Sequence, residues 1–201
     1  MNSIENQVVS RVYGNGRGWA FSKIDFVDVG ATSAIEQALS RLTRKNTIRR
    51  VLRGLYDYPK YSKLLDQAMG PDIDQVAQAI ARKNGWQIEV SGNTALNLLG
   101  LSTQLPGKFV YLNDSGAKTY QIGKQELVFK KSRLKDIGFK HAHTALVVQA
   151  LRELGQNKIS SEQRAKIYKH FDPVVGKLIL RDARYTTSWI YEEIKTIFKE
   201  E

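Results

Sequence analysis

Residues 33–60 read SAIEQALSRLTRKNTIRRVLRGLYDYPK. Ser33 followed by Glu36 is the S/T-x-x-E pattern of a capping box, in which each side chain accepts from an exposed backbone N–H of the other residue. Ile35, Leu39 and Leu42 then recur at helical spacing beside Ala34 and Ala38, so one face is built for burial. The opposite face offers Gln37, Ser40, Arg41 and Arg44. After Asn46 the period changes. Residues 47–51 and 55–58 are short runs rich in β-branched and aromatic residues, parted by Arg53-Gly54, and Pro59 closes the second run because it has no N–H for a ladder. Between Arg41 and Lys63, eight cationic residues (Arg41, Arg44, Lys45, Arg49, Arg50, Arg53, Lys60 and Lys63) stand against one acid, Asp57. A capped helix followed at once by a basic hairpin is the surface that a winged helix-turn-helix presents to DNA.

Working outward, Ile4, Val8 and Val12 fall four apart and predict a first helix that stops at Gly14-Asn15-Gly16. Trp19-Ala20-Phe21 reads as a short strand able to pair with the later hairpin. Ser22, with Asp25 three residues on, caps a second helix running to Val29, and Gly30 is placed to end it in a left-handed conformation. Helix, short strand, helix, tight turn, helix, hairpin is the order of a winged helix, here within residues 1–62. Its N-terminal groove-facing residues are Thr32, Ser33, Glu36 and Gln37. Gln37 is suited to adenine and Arg41 or Arg44 to guanine or phosphate, with Lys45, Arg49, Arg50 and Arg53 on phosphates or the minor groove. Arginines that are merely solvated are the plain alternative for such a charge run.

Gly70-Pro71 marks a boundary, and residues 71–201 are expected to form a mixed α/β second domain, making the whole chain α+β. Asp72 caps a helix on Ile73, Val76, Ala77 and Ile80 that ends at Asn84-Gly85. Trp86 to Val90 alternates like a strand, and Thr94 to Gly100 is a short apolar helix. Three strands follow at 108–112, 119–122 and 127–131, after a turn at Pro106-Gly107. From Ala142 the pattern is helical, with segments at Ala145 to Leu151, Ser161 to His170, after Asp172-Pro173, and Thr187 to Lys199.

The net charge of +11 over 201 residues favours an anionic partner, and nucleic acid fits better than a membrane because no basic amphipathic segment stands out. With no cysteine, disulfides and Cys-ligated zinc are excluded. No apolar leader or membrane-length run occurs, so a cytoplasmic location is expected.

Motifs that would signal an enzyme are weak. His141 and His143, with His170, Asp136 or Asp172, have the composition of a metal site but no second-shell partner. Ser91 to Thr94 at a strand–helix junction offers backbone N–H groups to an anion yet lacks a Gly-Lys-Ser/Thr ending. Gly14 to Gly18 is glycine-rich but follows a helix, so it reads as a turn rather than a nucleotide loop. Lys130 to Lys135 is a second basic cluster with no defined target. Use of Asp114 or Asp136 as metal ligands would need paired carboxylates that nothing here places on one face. No enzymatic activity, cofactor or metal is expected.

Two unusual stretches, RRVLRGLYDYP at 49–59 and WQIEVSGNTALNLLGLSTQLP at 86–106, resemble the antitoxins of the AbiE type, from abortive-infection (type IV) toxin–antitoxin systems. The resemblance implies an N-terminal winged helix that binds inverted repeats in its own promoter, two copies per palindrome, and represses the operon. It also implies a nucleotidyltransferase-like toxin as functional partner, opposed without a stable complex. Antitoxic residues cannot be placed on any position by it. The alternative is an interaction module whose second domain holds a toxin or another protein directly.

Overall fold

The computed structural model describes residues 3–102, 107–132 and 139–198. The expected turn at Pro106, the cluster residues Arg133 and Lys135, Asp136 and the helix end at Lys199 lie outside the described residues. The chain is α+β and divides into two compact units, Met1–Trp86 with Tyr120–Leu127, and Gln87–Thr119 with Val128–Glu201.

In the first unit, α1 (Ile4–Asn15) is capped by the Ser3 side chain and stops at Gly16, whose φ of +82° favours glycine. β1 (Ala20–Phe21) follows. The Ser22 segment then forms a single 3-10 turn, Lys23–Phe26, instead of a helix to Val29. Gly30 does not adopt a left-handed conformation; its missing side chain instead makes room for Ile4, whose Cδ1 would lie 2.7 Å from a Cβ. α2 spans Thr32–Arg44, and β2 (Arg49–Leu52) and β3 (Leu55–Asp57) form the hairpin around Arg53-Gly54. β3 lies between β1 and β2, antiparallel to both. Val8, Val12, Phe21, Phe26, Ile35, Leu39, Leu42 and Ile48 are all buried in one core. Burial of each such side chain contributes about 1.5–3 kcal/mol.

Two details of this core fix how α2 is presented. Arg11 on α1 forms a bidentate pair with Asp28 at 2.6 Å and donates to the Asp25 carbonyl, tying α1 to the segment leading into α2. Its guanidinium holds the Asp28 carboxyl down at about 2. The capping box expected at Ser33–Glu36 does not form, whereas the Ser22–Asp25 pair, also expected as a cap, closes one eleven residues earlier. The Asp25 carboxylate accepts from the Ser22 N–H at 2.8 Å and Ser22 Oγ accepts from the Ile24 N–H at 3.4 Å. At α2 the N-cap is Ala31, which has no side-chain bond to give, and Glu36 is drawn to Lys23 at 2.6 Å. Ser22→Ala is therefore expected to lower stability by about 1 kcal/mol and Ser33→Ala by less than about 0.5 kcal/mol in urea melts.

Downstream, β4 (Tyr61–Ser62) and β5 (Gln67–Ala68) make a small hairpin, and α3 (Ile73–Asn84) follows with Asp72 as N-cap and Gly85 in the left-handed C-cap conformation. α3 packs on β1 and β3, and Arg82 donates to Asp25 at 2.6 Å and to the Ala20 carbonyl at 2.8 Å. The helix after Gly70-Pro71 thus lies in the first unit, whose first stretch runs to Trp86.

The second unit holds β6 (Ile88–Val90), α4 (Gly92–Leu98), β7 (Lys108–Asn113), α5 (Ala142–Leu154), α6 (Ser161–His170), α7 (Pro173–Asp182) and α8 (Ser188–Phe198). β8 (Lys118–Ile122) and β9 (Gln125–Lys131) complete a sheet in the order β6-β7-β9-β8. α5 packs on α4 and β6, and α7 on α8. Tyr111, Phe129, Leu151, Ile167, Ile179 and Ile194 are fully buried. Gln149 on α5 donates to Glu89 on β6 at 2.8 Å, and Arg164 makes a bidentate pair with Glu193.

Candidate functional site

α2 buries Ile35, Ala38, Leu39 and Leu42, so its opposite side is fixed by the helical period. Ser33, Gln37, Ser40 and Arg44 run down that side as one exposed stripe, with Thr32 at its N-terminal end. Arg44 donates to Ser40 Oγ at 3.4 Å within the stripe. Gln37 has no side-chain partner among the described residues. Arg41 and Lys45, on the flank toward α1, behave differently. Both approach Glu5, at 3.7 and 2.6 Å, and the Lys45 ammonium holds the Glu5 carboxyl below its ordinary value.

The hairpin separates its arginines in the same way. A bulge between Arg50 and Leu52 sets Arg49 opposite Asp57. Arg49 Nε donates to Asp57 Oδ1 at 3.0 Å, Nη2 to Oδ2, and Nη1 to the Met69 carbonyl at 2.7 Å. Asp57 is 1% exposed. Burial pushes its carboxyl up, and Arg49 opposes that push. Arg49 is thus committed to the fold, whereas Arg50 and Arg53 have no side-chain partner among the described residues. At the hairpin tip Gly54 has a φ of +71°, and Lys83 on α3 donates to the Arg53 carbonyl at 3.3 Å. Lys45 to Ile48 is the whole connection from α2 to β2, anchored by buried Ile48 and by the Thr47 N–H on the Leu42 carbonyl. Hairpin and helix are therefore held as one piece.

An open cleft of about 340 Å³ lies in the same unit, lined by Tyr13, Arg17, Lys45, Tyr58, Lys60 and Tyr61 among others. Of the predicted site residues only Lys45 reaches it. Sequence reasoning missed the rest because Tyr13 to Gly18 and Tyr58 to Tyr61 are far apart along the chain. The one available signal was that both stretches mix tyrosine with a cation.

A family model described as a family of unknown function, DUF6088, matches residues 7–173. The chain belongs to DUF6088. No curated protein matches it. Among solved structures it is similar to the crystal structure of the RV2827C protein from Mycobacterium tuberculosis, at 15% identity and a TM-score of 0.41, over 97% of this chain and 76% of that one. The DUF6088 span takes in α2, the β2–β3 hairpin and the cleft.

The other motifs of this DUF6088 chain have local structural roles. His143 and His170 both pack edge-on against Phe171, and burial, with His143 nearby, lowers the basicity of His170. Among the described residues no group of three or more His, Asp or Glu is gathered for a metal. At Ser91 to Thr94, Ser91 Oγ donates to Thr94 Oγ1, which accepts from the Val110 N–H, and a Cβ on Gly92 would meet the Glu153 carboxylate at 2.3 Å. An acid in that position disfavours an anion. No helix among the described residues is long and apolar enough to cross a membrane.

Proposed function

We propose that the first unit is a winged helix-turn-helix that grips duplex DNA with α2 in the major groove and the β2–β3 hairpin as its wing. The observation that carries this reading is the distribution of pairing. Ser33, Gln37, Ser40 and Arg44 on α2, and Arg50 and Arg53 on the hairpin, have no carboxylate partner among the described residues, in a chain of net charge +11. The succession α1, β1, 3-10 turn, α2, hairpin, with β3 between β1 and β2, supports it further. Thr32, Ser33 and Gln37 sit at the N-terminal end of α2, where a recognition helix meets base edges. Arg44, Arg50 and Arg53 supply phosphate contacts, and Arg41 and Lys45 can join them only by sharing or leaving Glu5.

The biological role we propose is that of an AbiE-type antitoxin, a transcriptional autorepressor rather than an enzyme. It binds inverted repeats upstream of its own operon as a dimer formed on the DNA, and its functional partner is a nucleotidyltransferase-like toxin. The resemblance of the hairpin segment and of the Trp86 segment supports this role. The test is binding of the upstream DNA across salt, beside a random duplex of equal length. An inverted repeat should bind more tightly, with affinity falling steeply as salt rises. Gln37→Ala should relax base discrimination by about 1–3 kcal/mol at one position, leaving the salt slope unchanged. Equal binding of both duplexes overturns the repressor reading. Growth rescue on co-expression with the adjacent toxin-like reading frame tests the antitoxin role.

A further inference from the structure

The cleft at the base of the hairpin has a chemistry that duplex recognition does not use. Tyr13, Tyr58 and Tyr61 bring aromatic rings to it, Arg17, Lys45 and Lys60 bring charge, and no carboxylate is among its lining residues. Its volume of about 340 Å³ lies within the range of small-ligand sites. The cations are held in place. The Arg17 guanidinium stacks 4.7 Å from the Tyr58 ring centre and donates to the Pro59 carbonyl, while Tyr58 contacts Tyr13 at 5.2 Å on its own ring. Lys45 is steadied by Glu5 and Lys60 by Asp72, each through one bond of an ammonium that has three donors. Neither Glu5 nor Asp72 is among the residues that line the cleft.

The glycine-rich turn at Gly14 to Gly18 now has a role. Gly18 has a φ of +97°, and a Cβ there would lie 2.3 Å from Lys60 Cε, so this glycine lets the Lys60 stem cross to the cleft. Tyr13 and Tyr61 remain about half exposed, at 52% and 49%, leaving ring surface for a planar partner.

We propose that this cleft binds a nucleoside phosphate, with its base on the exposed Tyr13 or Tyr61 ring and its phosphate on Lys60, Lys45 and Arg17. Stacking on tyrosine tolerates any base, and the fixed cations demand the phosphate. The ligand is either a free nucleotide or the end of a single strand. Lys45 is the one cleft residue that the duplex reading also uses, and the variants that test the cleft lie outside the α2 stripe and the wing.

Calorimetric titration of the full chain with nucleoside monophosphates, a single-stranded pentanucleotide, inorganic phosphate and uncharged nucleosides decides the matter. Saturable binding of the nucleotide or the oligonucleotide is expected, and the tighter of the two identifies the source. Tyr13→Ala should weaken it at least about tenfold while Tyr13→Phe keeps it. Lys60→Ala should weaken it with duplex affinity retained. If Tyr13→Ala melts early, Tyr61→Ala on the separate small hairpin provides a second stacking variant. Absence of nucleotide binding at millimolar concentration, or inorganic phosphate binding as tightly as a nucleotide, overturns the proposal.

Discussion

Arg49→Ala is expected to destabilise the first unit by about 2–3 kcal/mol, while its neighbour Arg50→Ala shifts stability by less than about 0.5 kcal/mol. Removing Arg49 strands the Asp57 carboxylate, which is 1% exposed and has Arg49 as its ion-pair partner. Breaking a fully buried pair costs about 3–5 kcal/mol, and the 32% exposure of the Arg49 side chain reduces that figure. The Met69 carbonyl also loses its donor, so the anchor of the β4–β5 hairpin goes with it. Lysine cannot bridge both carboxylate oxygens and that carbonyl, so Arg49→Lys should recover only part of the loss.

The pH dependence of this variant has a definite sign. Burial already pushes the Asp57 carboxyl up, and removing Arg49 lets it rise further above its unfolded value. A folded carboxyl with a raised pKa binds its proton more tightly than the unfolded chain does. Stability of the variant therefore recovers as pH falls through the folded pKa toward the unfolded value of about 4. Urea melts of both proteins at neutral pH and near pH 5 should show the gap narrowing on acidification. A gap that stays constant would mean that Asp57 is not the source of the loss.

The second large effect is on binding. Replacing Arg50 and Arg53 together should weaken duplex affinity on the order of 10- to 100-fold for every sequence alike. The slope of log K against log salt should fall by about 2, since each phosphate contact contributes about 0.9. The fold should be untouched, because neither side chain has a partner among the described residues. Loss of affinity with an unchanged salt slope would remove these arginines from the phosphate backbone.

These contrasting arginines mark where the sequence stopped being legible. The hairpin and its two-residue turn were readable from Arg53-Gly54 between apolar runs. In a regular two-residue hairpin Arg50 would face Asp57, and Arg49 would project to the other side. The bulge after Arg50 reverses this, because one extra residue swaps the faces of a strand whose side chains alternate. Nothing in the local sequence marks that bulge. The absence of a capping box at Ser33 has a similar origin. Ser22 with Asp25 and Ser33 with Glu36 match the same pattern, and the choice between them is tertiary: Arg82 holds Asp25 in place, whereas Lys23 takes Glu36 away. The apolar face of α3 was equally visible, but a hydrophobic stripe does not name its partner; in the structure α3 packs on β1 and β3, with Arg82 donating to Asp25 and to the Ala20 carbonyl. What periodicity did expose was the polar side of α2, since the buried quartet Ile35, Ala38, Leu39 and Leu42 leaves one opposite side.

Backbone amide shifts recorded while the upstream duplex is titrated into labelled protein test the central claim most directly. Gripping of DNA by α2 and its hairpin predicts the largest changes at Thr32, Ser33, Gln37, Ser40, Arg44 and Arg50 to Gly54, with the second unit silent. Changes confined to the second unit, or an α2 stripe that stays still at saturation, would contradict it.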